Sequence, residues 1–149
     1  MKYLFKFILM FLNRLDGTNY CIARNIINLI CNREYKLNYD KLNQTYKKIY
    51  KDGKYIYYSD KIRAARNHAS FSIMIDNLIR SYCLENIIFN KKDVVIDCGA
   101  NVGELGLFFL HKDLDVEYIA FEPSTKEFLA CKLNHPKSST FNLGLWHKE

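Results

Sequence analysis

The five cysteines of this 149-residue chain, Cys21, Cys31, Cys83, Cys98 and Cys131, include no C-x-x-C pair, and no histidine stands at zinc-ligand spacing from them. An odd, scattered set excludes a zinc module and a fully paired disulfide framework. A reducing cytoplasm is the simplest setting for it. Cys98 follows an apolar run and is expected as a small buried hydrophobe, the usual state of a free cysteine beside a strand. No apolar run is long enough to span a bilayer. Met1 to Leu15 is too short, is interrupted by Lys6 and has no small-residue cleavage site, which disfavours a secretory signal. Internal repeats and low-complexity linkers are absent as well. The Tyr-, Lys- and Asn-rich stretch from Glu34 to Asp60 carries no RNA-binding signature, so nucleic acid is not expected as a partner.

What is present is a globular composition, 49% apolar, at the length of one domain. The net charge of +6 is unevenly spread. Residues 1–92 hold 17 Lys and Arg against 7 Asp and Glu, whereas residues 93–149 hold 5 against 9. A basic front half suits an anionic membrane surface, nucleic acid or a phosphorylated acceptor; otherwise it is a solvated, Lys-rich face.

Apolar spacing in that front half predicts helices. Leu4, Phe7, Ile8, Phe11, Leu12 and Leu15 share one helical face, read either as an interfacial helix making a peripheral membrane contact through residues 1–15 or as a packing helix. After the Asp16-Gly17-Thr18-Asn19 turn signal, Ile22, Ile26, Leu29 and Ile30 predict a second helix within Asp16 to Asn32. Asp52-Gly53 marks a turn, and Lys54 to Tyr58 an edge strand or hairpin arm. Ser59 to Tyr82 reads as one helix capped by Ser59 or Asp60, with Ile62, Ala65, Ala69, Ile73, Leu78 and Tyr82 near helical spacing.

The most informative stretch runs from Val94 to Glu104. Val94 to Ile96 is an unbroken apolar run, expected as a strand buried on both faces of a parallel sheet. Gly99 and Gly103 punctuate the turn that follows, and Leu105, Phe108 and Phe109 resume as the stripe of a helix ending near His111. A strand at Glu117 to Phe121 then closes on Glu122, 23 positions beyond Gly99, where an acid can hold ribose hydroxyls. Pro123 ends that strand. Ser124-Thr125-Lys126-Glu127 matches a capping box opening a helix to about Asn134, and Thr140 to Leu143 is a third short strand. The first loop reads D-x-G-x-x-x-G, placing the Asp97 carboxylate near where a pyrophosphate needs only N–H donors. That argues against a dinucleotide and suits a cationic amine such as the methionine part of S-adenosylmethionine.

At these residues, VIDCGANVGE at 95–104 and AFEPS at 120–124, the chain resembles the FkbM-type methyltransferases, with a weaker likeness at Asp60 to Arg66. The resemblance implies an α/β fold with a Rossmann-like class I methyltransferase sheet, of which only the first three core strands are found, preceded by N-terminal helices. It divides the chain into a helical lead-in region, 1–92, and the first half of an S-adenosylmethionine-binding domain, 93–149. The implied activity is O-methylation of a sugar hydroxyl on a glycan or secondary metabolite. S-adenosylmethionine would be held by Asp97 at the amine, by the loop of Gly99, Ala100, Asn101, Gly103 and Glu104, by Glu122 at the ribose and by Asn142 or the backbone around Leu143 and Gly144 beside the adenine. Arg66 and His68 are candidates for acceptor or carboxylate contacts, and Cβ growth at Gly103 is expected to meet the ligand or the strand beneath. The base is unassigned, with His68, His111, His135 and His147 as the pool. With strands of the implied seven missing, the chain is expected as an inactive fragment whose motif strand becomes a sheet edge. Rival readings are an NAD or nucleotide-sugar enzyme on the same fold, a cofactor-binding module without catalysis, and a membrane-associated structural protein.

Overall fold

The computed structural model describes residues 10–68 and 70–145. Leu4, Phe7, Ile8 and His147 therefore lie outside the described residues, as does most of the residue 1–15 segment. The chain divides into two compact units, Met1–Ser70 and Phe71–Glu149. The helix that begins at Phe71 goes with the second unit, so the division falls earlier than the 92/93 boundary drawn from the motif.

In the first unit, residues 10–14 are helical and α1 spans Gly17–Ile30, with the Asp16 side chain accepting from the Gly17 N–H. Three strands follow, β1 Tyr35–Asp40, β2 Thr45–Tyr50 and β3 Tyr55–Tyr58, antiparallel in the order β1-β2-β3. The expected lead-in region is thus not helical alone. Residues 35–50, given no element from the sequence, carry two of the strands. Asp40 turns the chain between them, accepting from the N–H groups of Leu42 and Asn43. The inner face buries Tyr35, Leu37, Tyr46, Tyr50, Ile56 and Tyr58 together with the fully buried Lys48. The Lys48 ammonium donates to the Arg66 carbonyl at 2.6 Å and stands 4.0 Å from the centre of the Tyr35 ring.

The single helix expected over Ser59 to Tyr82 is broken. α2 covers only Lys61–Ala64, capped by Asp60, and α3 spans Phe71–Ser81. Side chains from elsewhere in the first unit hold the chain out of the helix between them. Arg24 and the Tyr35 hydroxyl both donate to the Ala65 carbonyl, and Lys48 donates to the next one.

The second unit follows the predicted alternation. A 3₁₀ turn at Leu84–Asn86 leads to β4 Val94–Cys98, α4 Glu104–His111, β5 Glu117–Phe121, α5 Thr125–Asn134 and β6 Ser139–Phe141. The strands pair in parallel in the order β4-β5-β6, joined by two helical crossovers. Helix α4 buries Leu107, Phe108 and Phe109, which with Val102, Tyr118, Ala120, Ala130 and Cys131 make this unit's core. The motif strand is not buried on both faces. β4 lies at the edge, with Val94 56% and Ile96 58% exposed and Cys98 exposed too. All five cysteines are free. Among the described residues no helix is long and apolar enough to cross a membrane.

Candidate cofactor site

Parallel strands bring their carboxyl ends, and the loops leaving them, to one edge of the sheet, the place where open α/β folds bind ligands. Here the ends of β4, β5 and β6 deliver Asp97, the Gly99–Gly103 loop, Glu122 and Asn142. The loop turns through left-handed backbone at Gly99 (φ +81°), Asn101 (φ +53°) and Gly103 (φ +78°). Such angles strain residues with a Cβ, which explains glycine at two of the three. The N–H groups of Gly99 and Ala100 both donate to the Phe121 carbonyl, fastening the loop to the end of β5. Ala100 and Val102 point into the core. What Ala100 can offer a ligand is therefore limited to its carbonyl.

Glu122 is buried and bridges both loops. Its Oε2 accepts from the Asn101 N–H at 2.7 Å and its Oε1 from the Ser124 N–H at 2.8 Å. A carboxylate has about four lone-pair sites, so each oxygen keeps capacity for a ligand hydroxyl. Asp97 is buried as well, and its Oδ2 accepts from the Tyr118 hydroxyl at 2.6 Å. Burial pushes the Asp97 carboxyl up, the Tyr118 bond opposes this, and the nearby Glu122 charge adds to it. The other oxygen, Oδ1, accepts no hydrogen bond from the described residues.

Asn142 is bonded within the chain. Its amide donates to the carbonyls of Glu122 and Pro123, at 2.9 and 3.0 Å, and its oxygen accepts from Thr125. It clamps the loop after β5. The third strand ends at Phe141, so Asn142 and Leu143 lie beyond it. The capping box is also altered: the Ser124 hydroxyl donates to Glu127 and makes no cap bond to the N–H groups of α5. Glu104 opens α4, where an acid opposes the positive helix end and makes the site less welcoming to phosphate.

Gly103 has a neighbour other than those anticipated. A Cβ there would stand 2.6 Å from the His135 ring and 2.9 Å from the Cys131 sulfur, both from α5 and its C-terminal end. A Cβ on Gly99 would meet nothing within 4 Å, so this is where the loop leaves its backbone open. His135 is buried with Nε2 2.6 Å from the Gly103 carbonyl, and desolvation pulls its pKa down. Its role is to hold the loop. His111 packs edge-on against Phe71. His68 and Arg66 belong to the first unit, where burial and the charges of Lys48 and Arg66 pull the His68 pKa down.

Sequence reasoning missed Tyr118, Gly106 and the Ser124 N–H, and it counted His135 only among the possible bases. Gly106 had a signal, a glycine three places after Gly103 inside an apolar helix. A Cβ on it would meet Tyr118 at 2.5 Å, so it lets α4 lie close on the sheet, the task of the last glycine in nucleotide-binding turns. Among the described residues no group of three or more His, Cys, Asp or Glu side chains could hold a metal ion. No protein-family model matches the chain, and neither the curated proteins nor the solved structures contain a match.

Proposed function

We propose that the second unit is the cofactor-binding part of an S-adenosylmethionine-dependent methyltransferase acting on a sugar hydroxyl of a glycan or secondary metabolite. One observation carries the reading: Glu122, at the end of β5, accepts from the backbone of the glycine loop after β4, beside an open Gly99. When bound, the cofactor supplies an electrophilic methyl group on a sulfonium. The chain's own work is to hold and align. The residues fit that cofactor: Glu122 retains lone pairs for ribose hydroxyls, Asp97 Oδ1 can accept from the ammonium, and the Gly99 backbone admits a close approach. Acids at Asp97, Glu104 and Glu122 disfavour a pyrophosphate. We assign no general base. The acceptor class rests on the resemblance alone.

A second reading has an observation behind it. Gly106 supplies the close-packing glycine of a dinucleotide site, which favours an NAD or nucleotide-sugar enzyme on the same sheet. Titration calorimetry of the chain with S-adenosylmethionine and with NAD separates the two. Glu122→Gln, which keeps shape and loses charge, should weaken S-adenosylmethionine about tenfold or more while circular dichroism stays unchanged. Unaltered affinity in that variant, or tighter binding of NAD, overturns the assignment.

A further inference from the structure

Helix α1 turns its apolar side the wrong way for a core. Ile22, Ile26 and Leu29 recur at i, i+4 and i+7 on one face with Ile30 beside them, and they are between 56% and 83% exposed. The face that packs on β1 is instead made of Tyr20, Cys21 and Asn28. In the sequence this aliphatic stripe is followed closely by cations. α1 closes in a Schellman motif, with Asn32 left-handed (φ 49°), its N–H on the Leu29 carbonyl and the Arg33 N–H on the Asn28 carbonyl. Arg33 is thereby fixed at the end of the stripe. It lines a groove of about 440 Å³ with Tyr35, Lys36, Tyr50 and Lys51, and no acid is among the lining residues.

We propose that the first unit docks on an anionic lipid surface, the α1 stripe entering the headgroup boundary and the Arg33–Lys36–Lys51 groove taking lipid phosphates. The proposal is independent of the methyltransferase reading, since it uses no residue of the second unit. An aliphatic helix face bordered by cations is what an interface of hydrocarbon and negative headgroups selects. A second copy fits less well, because the first 70 residues hold 14 Lys and Arg against 5 Asp and Glu, so pairing would bring like charges together. Nucleic acid fits less well too. The exposed Tyr55 ring already carries the Lys47 ammonium 3.8 Å from its centre, which takes up a face a base would stack on. The nearest competitor for the groove is Glu34, paired with Lys51 at 2.9 Å with both groups exposed, a contact weak enough for a phosphate to displace.

The test is co-sedimentation of the full chain with vesicles of phosphatidylcholine alone and of phosphatidylcholine mixed with phosphatidylglycerol. Binding is expected to the mixed vesicles, to fall as salt rises, and to weaken about thirtyfold in Arg33→Gln/Lys36→Gln. Ile26→Ser/Leu29→Ser should weaken it by a similar factor with the circular dichroism unchanged, as the stripe supports no core. Glu34→Gln should strengthen it, which a merely structural groove does not explain. No sedimentation with mixed vesicles overturns the proposal. So does binding of glycerol 3-phosphate or an oligonucleotide without vesicle binding, and so does a concentration-dependent dimer that Ile26→Ser/Leu29→Ser dissolves.

Discussion

Two of the outer strands, β1 and β4, solve the edge problem differently. On β1 the side-chain amide of Asn25 pairs with both polar groups of Leu37, accepting from its N–H at 2.7 Å and donating to its carbonyl at 2.8 Å, as a neighbouring strand would. Among the described residues no strand pairs with β4 on its outer side, and Val94 and Ile96, two of its five residues, are apolar and exposed. The contrast extends through both units. In both units polar side chains reach the backbone, from Asn25, Arg24, Tyr35 and Lys48 in the first and from Glu122, Asn134 and Asn142 in the second, but only the second adds close approach at Gly103 and Gly106. One design resists unwanted pairing, and the other leaves an edge that a further strand can extend.

The sharpest way to break this comparison is to place the same substitution in each unit. Gly53 (φ +81°) and Gly103 (φ +78°) share a left-handed backbone, yet a Cβ on Gly53 meets nothing and one on Gly103 collides with His135 and Cys131. Gly53→Ala should cost about 1 kcal/mol from backbone strain alone. Gly103→Ala adds overpacking and should cost about 3 kcal/mol, enough to disorder the loop. Urea titration of both variants decides this, and equal losses would mean that the α4–α5 contact is looser than drawn.

A smaller effect separates the edges themselves. Asn25→Ala removes two hydrogen bonds and should cost about 2 kcal/mol while exposing β1 to pairing. Ile96→Lys should leave stability nearly unchanged and reduce self-association through β4. Sedimentation velocity over a range of concentrations reads both. If Ile96→Lys associates as the parent does, the open edge is not where copies meet.

How legible each unit was follows from the same difference. The second unit could be read because glycines, Pro123 and apolar runs encode strand, turn and helix locally; its bounds held to within a few residues. The Asp97–Tyr118 bond escaped because it joins neighbouring strands and needs their register, Val95 beside Tyr118 and Asp97 beside Ala120. In the first unit the pattern of β2 is inverted. Lys48 faces the core and Ile49 faces out, so the period-two signal cancels and only an aromatic-rich composition remains. The stop after Ala64 was unreadable for a related reason. No glycine or proline marks it; the donors from Arg24, Tyr35 and Lys48 come from residues distant in sequence.

The subtlest difference lies in acid. His68 in the first unit and His135 in the second both have pKa values drawn below the ordinary 6.5, chiefly by burial. A histidine kept neutral by the fold contributes stability above its unfolded pKa, and this is lost as pH falls from about 6.5 through the lower folded value. Both units should therefore weaken together on leaving neutrality. Below that they part. Asp97 in the second unit titrates with the opposite sign: its raised pKa makes the native state take up a proton before the unfolded chain, so its contribution is fully present below the ordinary 3.8 and lost as pH rises through the folded value. Asp40 in the first unit, drawn down mainly by its hydrogen bonds with Asn43, supports stability above 3.8 and gives it up in acid. On acidification toward pH 3.8, Asp97 should therefore offset part of the loss in the second unit, and below 3.8 the first unit should loosen further as Asp40 takes up its proton. Amide hydrogen exchange followed against pH resolves the two by residue. Asp97→Asn should abolish the offset and raise second-unit protection at neutral pH by removing a buried charge. Parallel pH profiles in the two units, unchanged by Asp97→Asn, would show that the carboxyl is already open to water and that Tyr118 does not enclose it.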